Sequence, residues 1–308
     1  MQLRHLGLGL LTGTSVLGHG VERCGTHRDV EPDSFVGSAA AQLQSRQTYP
    51  VPPPTNLIVH VVAPSKKRED GYLSVCYPPT QNNFTFGRQL LSKRQEAEVL
   101  EQVKIVQDAY AKPDNDTGIR FLHDKSKIRW HVNESWTGEV TGDKTLWYEM
   151  SEALHEGDYR TLNLYFFNQT HQRNGGTCTN PWTQARREAD LTRRLKRDGC
   201  IIATYSINGS KHPYMNRGKT AIHEIGHWFG LHHPFEAGES SSSTCSDRNV
   251  DDEVLDTPKT GMGVEGACDR KSNTCAEPKG QTPIYDPVEN YMMYSSDDCM
   301  SQFTKGQA

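Results

Sequence analysis

Two histidines four residues apart carry the clearest chemical signal in this chain of 308 residues. On a helix, His223 and His227 lie one turn apart and project from the same face, so both imidazoles can bind one metal ion. Glu224 comes directly after His223 and cannot share that line to the metal. It can instead lie over a bound water, which is the position of a general base. The pattern predicts a metal centre that activates water.

A third ligand follows from the glycine after this motif. Gly230 lies three residues past His227 and can adopt the positive φ that ends a helix and turns the chain back. That turn can bring His233 beneath the metal, and three imidazoles plus water form the open tetrahedral site of a catalytic zinc. His232 is the competing candidate. The spacing of six residues from His227 selects His233, and His232 is expected to point elsewhere.

A methionine far downstream completes the pattern. Residues 290–295 read Asn-Tyr-Met-Met-Tyr-Ser, and the thioether of Met292 would form an apolar floor under the three imidazoles. A histidine motif of this kind followed by such a Met-turn matches the signature of the metzincin class of zinc peptidases. We therefore expect zinc bound by the three histidines, with Glu224 as the general base of peptide hydrolysis.

The elements that must position this centre are predicted from hydrophobic periodicity. Apolar steps of three and four residues predict helices over residues 88–111 and 146–155, besides the helix of the histidine motif. The predicted strands are residues 57–63, 119–122, 127–136, 162–167 and 200–207. Strands that alternate with helices predict an α+β fold with a mixed five-stranded sheet, two long helices and an active-site helix.

The last part of the chain has a different character. After about residue 234 the periodicity is lost, and Gly, Ser, Asp and Pro dominate. Four of the eight cysteines lie there: Cys245, Cys268, Cys275 and Cys299. A segment without regular structure needs other constraints, which disulfides supply. We expect one catalytic domain over residues 48–308, with an upper subdomain over 48–233 and a lower, disulfide-stapled subdomain over 234–308.

The N-terminus predicts export. A basic start and an apolar stretch over residues 6–17 are typical of a signal peptide, here residues 1–18, although an ordinary disordered terminus also fits. Residues 19–47 are poor in large apolar side chains and are expected to be a pro-segment or linker. Eight cysteines and five Asn-x-Ser/Thr sequons favour a secreted, extracellular glycoprotein. The sequons lie at Asn83, Asn115, Asn133, Asn168 and Asn208.

Charge and hydropathy limit the classes of binding partner that the chain is expected to have. The formal net charge of −4 gives no basic field for nucleic acid or an anionic membrane, and the basic run 193–197 is interpreted as solvated surface. No apolar run approaches the ~20 residues that span a bilayer. Protein or peptide substrates and a monomeric state are expected. A zinc-binding pseudoenzyme would be expected to lack Glu224 or a ligand, and an adhesion module would have no need of the complete motif.

Several stretches outside the histidine motif carry a family resemblance. They are Cys24-Gly-Thr, Asp70-Gly-Tyr-Leu-Ser, Gly175-Gly, Asp198-Gly, Gly218-Lys-Thr-Ala-Ile, Glu253-Val-Leu-Asp-Thr-Pro, Asp286-Pro-Val-Glu-Asn-Tyr-Met and Cys299-Met-Ser-Gln-Phe. In these stretches, from about Cys24 to its end, the chain resembles the pappalysin branch of the metzincins, especially its small secreted members.

The resemblance implies a proteolytic zinc enzyme whose substrate lies extended along an edge strand, here residues 175–181. It implies that Met292 is the Met-turn residue and that Tyr294 is a candidate for contacting the zinc or the oxyanion. Several relatives also bind calcium in the lower half. The candidate calcium ligands are Asp251, Asp252 and Asp256.

The chain departs from this family pattern in four places. One of them is the pair Cys178 and Cys200, which stand in strands where many relatives have no cysteine. Met293 stands where Asp commonly follows the Met-turn methionine, which puts any role for that carboxylate in doubt. Residues 77–86 look like an insertion. The sequence stops at Ala308, where relatives usually continue into a short helix.

The resemblance also implies disulfide pairs, which spacing alone cannot give because eight cysteines allow many pairings. The pairs that it implies in the lower half are Cys245–Cys275 and Cys268–Cys299. We expect a third bridge, Cys178–Cys200, between the edge-strand region and its neighbour.

Cys24 and Cys76 remain after those pairings, and two interpretations of them stay open. Relatives carry a similar Cys-Gly-Thr ahead of the catalytic domain, so a Cys24 thiolate could bind the zinc and hold a latent zymogen until the pro-segment is removed. Alternatively, a Cys24–Cys76 disulfide would tie the N-terminal segment to the domain.

Overall fold

The computed structural model describes residues 22–24, 53–63, 87–113, 116–136, 144–167, 174–180, 190–235, 252–261, 266–275 and 282–308. Its strands are β1 (Glu22–Cys24), β2 (Thr55–Ala63), β3 (Phe121–Leu122), β4 (Ile128–Val132), β5 (Thr161–Phe167), β6 (Asn174–Cys178) and β7 (Cys200–Ala203). Its α-helices are α1 (Gly87–Tyr110), α2 (Lys144–Leu154), α3 (Leu191–Lys196) and α4 (Lys219–Trp228).

The seven strands form one mixed sheet in the order β1-β6-β7-β5-β2, and β3 and β4 both pair with the other edge of β2. All pairs are parallel except β6 with β7. The predicted number of five strands was wrong, because the sheet has seven: six of them come from residues 55–203, where β6 adds a strand to the five that periodicity indicated. The seventh strand is β1, which comes from the predicted pro-segment. The α+β fold is confirmed.

The central strand β5 is buried on both faces, so its sequence is almost continuously apolar. Leu162, Leu164 and Phe166 belong to the core that packs under α1 and α4. On the opposite face, Tyr165 and Phe167 pack with Trp147 and Met150 of α2 and with neighbouring strands. The helix that carries the histidine motif is thus supported by the larger of these two clusters.

Helix α1 runs behind α4 and holds it through two polar side chains. Val99, Val103 and Val106 are buried at steps of three and four residues, as the periodicity predicts. The Tyr110 hydroxyl donates to the Ile222 carbonyl of α4 at 3.0 Å. Gln102 donates to the Gly218 carbonyl at 2.9 Å, just before α4 begins.

The short helix α3 contains most of the basic run 193–197, and none of its residues is buried. The basic run 193–197 was interpreted as solvated surface, and its first four residues are helical. Asp190 caps this helix, because its carboxylate accepts the backbone N–H groups of Thr192 and Arg193. Arg197 then pairs with Glu152, so part of the run is tied to α2.

Beyond residue 235, the described residues contain no helix or named strand, as expected for the lower half. A Cys268–Cys299 disulfide is present there, and a Cys178–Cys200 disulfide joins β6 to β7. Cys275 is also disulfide-bonded. None of the described helices is long and apolar enough to cross a membrane.

Several predictions fall outside the described residues. The signal peptide 1–18 lies there, as does the pro-segment apart from β1. The single residues concerned are Cys76, Asn83, Asn115, Asn168, Cys245 and Asp251.

Candidate metal centre

Helix α4, which carries the histidine motif, begins at a glycine and is capped from the far end of the chain. Gly218 has a φ of 73°, and its lack of a side chain leaves the helix without a local cap. Asp297, in the segment after the Met-turn, accepts the backbone N–H of Arg217 at 2.8 Å and that of Lys219 at 3.4 Å. A carboxylate at a helix N-terminus also complements the helix dipole.

The turn predicted at Gly230 ends the same helix. Gly230 has a φ of 95°, which favours glycine. Its N–H donates to the His227 carbonyl at 2.9 Å, and the N–H of Leu231 donates to the Gly226 carbonyl at 2.9 Å. These two bonds form a Schellman motif. The chain therefore turns back under α4 and carries His233 towards the other histidines.

The three predicted ligands converge. The Nε2 atom of His227 lies 3.2 Å from that of His223 and 2.9 Å from that of His233, and the His223–His233 distance is 3.1 Å. All three side chains are buried. A metal bonded to three imidazoles at roughly 2.0–2.1 Å needs their nitrogens within about 3.6 Å of one another. His232 lies outside this group.

The tautomers of two ligands are set by backbone carbonyls. Nδ1 of His223 donates to the Tyr291 carbonyl and Nδ1 of His227 donates to the Leu231 carbonyl, each at 2.7 Å. A carbonyl only accepts, so both protons lie on Nδ1 and the Nε2 lone pairs face one another. Lone pairs this close repel unless a cation lies between them. The donor set therefore fits a metal ion, and the carbonyls orient its ligands.

Glu224 lies between the metal centre and the edge of the sheet. Its side chain is fully buried, and its Cγ would lie 2.7 Å from a Cβ at Gly176 of β6. The absence of a side chain at Gly176 therefore lets β6 approach Glu224. Sγ of Cys200 lies 3.8 Å from the Glu224 carbonyl oxygen. The disulfide next to β6 thus also contacts the motif.

Met292 and Tyr294, the residues of the predicted Met-turn, both pack close to the histidine motif. Sδ of Met292 would be 2.5 Å from a Cβ at Gly226, so the methionine packs against α4 between the first two ligands. The ring of Tyr294 is 4.9 Å from that of His233. Phe235, which no sequence pattern indicated, stacks on His233 with ring centroids 4.6 Å apart.

The predicted calcium ligands serve other contacts in the described residues. The Asp252 carboxylate accepts the Val254 N–H at 3.1 Å, and that of Asp256 accepts the Gly306 N–H at 2.9 Å. Within the described ranges, the three histidines form the only group of His, Cys, Asp or Glu close enough to hold a metal. Calcium binding stays a prediction.

The N-terminal strand β1 lies on the edge that the substrate was expected to use. It pairs with β6 in parallel, with Glu22 opposite Asn174 and Cys24 opposite Gly176. Gly176 is the residue against which Glu224 packs. The backbone of Cys24 is therefore one strand away from the general-base candidate.

Comparisons with known proteins agree with this architecture. The family model described as "Pregnancy-associated plasma protein-A" (Peptidase_M43) matches residues 152–308. An extracellular metalloprotease of Pyricularia oryzae is 33% identical over 249 residues, which cover 81% of this chain and 70% of the relative. The chain belongs to the pappalysin family. It is a metalloendopeptidase, as the histidine motif predicts.

Other pappalysin relatives and solved structures extend the match. An extracellular metalloprotease of Colletotrichum graminicola is 29% identical over 290 residues, covering 92% of this chain and 86% of the relative. Mature mirolysin of Tannerella forsythia, solved with a cleaved peptide, has a TM-score of 0.55 at 19% identity over 82% of this chain and 88% of that one. A mutant of promirolysin from the same organism has a TM-score of 0.52 at 21% identity, over 83% and 79% of the two chains. These structures show a shared metzincin fold.

Proposed function

We propose that this pappalysin is a secreted zinc endopeptidase that hydrolyses peptide bonds in extracellular proteins, with residues 48–308 as its catalytic domain. The observation that carries the proposal is the convergence of three Nε2 atoms within 3.2 Å, beside a buried Glu224. Three imidazoles are a donor set typical of catalytic zinc and leave a fourth position for water or substrate.

The chemistry follows from the side chains around that position. When bound, zinc would polarise the scissile carbonyl and make a water acidic near pH ~7. Glu224 takes the proton of the attacking water and delivers it to the leaving amine. Tyr294, next to His233, donates a hydrogen bond from its hydroxyl to the oxygen on which negative charge develops. Met292 holds α4 and with it the first two ligands in place.

The substrate would lie along β6. This strand is antiparallel to β7 on one side, so its other side offers backbone groups to an added strand. Gly175 and Gly176 allow a peptide backbone to approach closely, and Gly176 packs on Glu224. A peptide paired there would present its carbonyl near the general base.

Strand β1 supports the hypothesis of a latent zymogen. A peptide that adds to β6 needs the hydrogen bonds that β1 uses, so the N-terminal segment and the substrate compete for one edge. The register of Cys24 with Gly176 supports Cys24 as the thiolate that occupies the fourth position of the zinc. Removal of residues 19 to roughly 47 would free the edge of β6 and the fourth position of the zinc.

The zinc mechanism is tested by metal analysis and one isosteric variant. We expect about one zinc per chain, and loss of proteolysis when a chelator removes it. Glu224→Gln should keep the zinc and lose activity by roughly 10²–10⁴-fold, because the proton shuttle is lost while the volume is kept. Cleavage is followed by mass spectrometry on a diverse peptide library. Near-normal turnover by Glu224→Gln would disprove the assigned role.

Latency is tested on the full-length secreted protein. We expect it to be nearly inactive, with a zinc-bound or free thiol at Cys24, and Cys24→Ala to gain activity without processing. Because β1 still pairs with β6 in that variant, removal of the segment should raise the activity further. Thiol mapping and the same peptide assay provide the two readouts. Full activity of the unprocessed protein, together with a Cys24–Cys76 disulfide, would show that the segment is a tether instead.

A further inference from the structure

A buried carboxyl joins two elements that meet at the metal centre. Asp198 is 5% exposed and precedes β7 by two residues. Its Oδ1 accepts the Thr179 hydroxyl at 2.6 Å, and its Oδ2 accepts the indole N–H of Trp228 at 3.0 Å. Thr179 directly follows β6, and Trp228 ends α4 next to His227. The carboxyl therefore connects the end of the edge strand to the end of the metal-binding helix.

This connection differs from the other contacts around it. The Cys178–Cys200 disulfide joins β6 to β7, the strand beside it, and touches α4 only where Cys200 Sγ lies 3.8 Å from the Glu224 carbonyl oxygen, in the middle of the helix. Thr179 exchanges backbone and hydroxyl bonds with Gly199, which also keeps β6 against β7. Among the hydrogen bonds described at the end of β6, the one between Asp198 and Trp228 links this strand end to the end of α4.

The carboxyl is held in costly surroundings. Burial raises the pKa of Asp198, opposed by hydrogen bonds from the Thr179 hydroxyl, the Trp228 indole and the Gly199 backbone N–H, none of which is a cation. Burying a carboxyl without a cation is unfavourable, and such groups concentrate at functional sites. An apolar side chain would fill this corner without that cost. It would not fix the direction of the Trp228 ring relative to Thr179.

We propose that Asp198 is a positioning residue for peptide hydrolysis. It sets the separation between the substrate-binding strand β6 and the helix α4, so that a peptide paired along β6 presents its scissile carbonyl at the metal centre. The inference rests on the proposed function and extends it to a residue outside the metal motif. It acts only on substrates long enough to use the end of β6, because a short peptide is placed by the metal centre itself.

The test compares two peptides and two variants at Asp198. One peptide pairs along the whole of β6 as far as Thr179, and the other reaches only the metal centre. Asp198→Ala should lower kcat/KM for the long peptide by about 10–100-fold, since a misplacement of about 1 Å can cost that much. Its kcat/KM for the short peptide and its zinc content should stay within about twofold of wild type.

Asp198→Asn should restore the long-peptide reaction. The amide oxygen still accepts the Trp228 N–H, and the amide N–H₂ donates to the Thr179 hydroxyl, which turns to the Gly199 carbonyl 3.3 Å away. The control is Asp190→Ala, a carboxylate of similar hydrogen bonding that caps α3 at the exposed surface. It should leave the ratio of the two kcat/KM values unchanged.

Equal losses on both peptides together with lost zinc would overturn the inference, because Asp198 would then only stabilise the fold. An Asp198→Ala enzyme with an unchanged ratio would overturn it as well. Thermal unfolding of each variant identifies a general loss of structure. The proposed function is judged separately, from the zinc content of the wild type and its cleavage of either peptide.

Discussion

The two halves of the described structure are held together by different means. The upper half, up to residue 235, has a sheet whose strands are buried on both faces and helices with periodic apolar residues. The lower half, residues 252–308, contains turns and hydrogen bonds from side chains to backbone. The carboxylate of Asp286, for example, accepts the Thr274 N–H at 3.0 Å and the Thr274 hydroxyl at 2.8 Å.

The metal centre needs both halves. The upper half supplies His223, His227 and Glu224 from one helix. The lower half orients His223 through the Tyr291 carbonyl and caps the helix through Asp297. The chemical groups are thus carried by the regular half, and much of their geometry is fixed by the irregular half.

The largest effect is expected at the boundary between the halves. His233→Ala should lose zinc and with it nearly all activity, because two imidazoles hold zinc far more weakly than three. His232→Ala should keep one zinc per chain, since His232 lies outside the converging group. Metal content by mass spectrometry of dialysed protein separates the two variants. The reverse result would show that the metal uses the neighbouring histidine.

A smaller effect is expected from the disulfide of the lower half. Replacing Cys268 and Cys299 by Ser opens a loop with a sequence separation of 31 residues. The free energy of unfolding should fall by about 3–4 kcal/mol in the chain-entropy model. Zinc affinity should also fall, because the Tyr291 carbonyl that orients His223 loses its support. Denaturant unfolding and zinc titration measure the two effects.

The matched control is the disulfide of the upper half. Cys178→Ala with Cys200→Ala opens a loop with a sequence separation of 22 residues and should also cost about 3 kcal/mol. We expect it to leave zinc affinity close to wild type, since the ligands keep their hydrogen bonds. Equal losses of zinc affinity in both double variants would remove the distinction between the halves.

The smallest effect concerns acid stability in the upper half. His60 is fully buried between β4 and β5; its Nε2 donates to Asn163 Oδ1 at 3.0 Å, and its Nδ1 accepts from Nε2 of His131 at 3.1 Å. Burial, opposed by the Asn163 bond, lowers the pKa of His60 from 6.5 to about 4. The ion pair of Arg129 with Glu156 also faces it.

Between pH 6.5 and about 4, His60 is protonated in the unfolded chain and neutral in the folded protein. The free energy of unfolding therefore decreases as the pH falls through this range. The contribution is about 3 kcal/mol when complete, and little further loss from this residue occurs below pH 4. In His60→Gln, the free energy of unfolding should decrease less between pH 6.5 and 4 than in the wild type. Each protein is compared with its own value at pH 7. Denaturant unfolding as a function of pH measures this decrease; an unchanged slope would assign the acid sensitivity to other groups.

The upper half was largely predictable from sequence because its elements are set by burial. The helix predicted over 88–111 is Gly87–Tyr110, and that over 146–155 is Lys144–Leu154. The predicted strand 127–136 ends at Val132, because the Asn133 side chain accepts the Ser135 N–H and starts a turn. Local polar bonds of this kind are invisible to hydrophobic periodicity.

The contacts missed from sequence join distant residues. Asp297 caps a helix 78 residues earlier, and Asp198 bonds to Trp228 across 30 residues. β1 was interpreted as part of an unfolded segment, because three residues that pair through backbone groups leave no side-chain pattern. The ligands could be predicted because the spacing of His223, His227, Gly230 and His233 is set by one helix and the turn that ends it. Their supporting groups depend on the tertiary fold.

The bond from His223 to the Tyr291 carbonyl has a consequence for biosynthesis. The ribosome delivers the histidine motif 68 residues before the carbonyl that orients its first ligand. Met292, which packs against α4, and Asp297, which caps it, are synthesised after Tyr291. A nascent chain therefore carries the histidine motif before the groups that arrange it exist, so the site is assembled only after residues 291–297 have been synthesised.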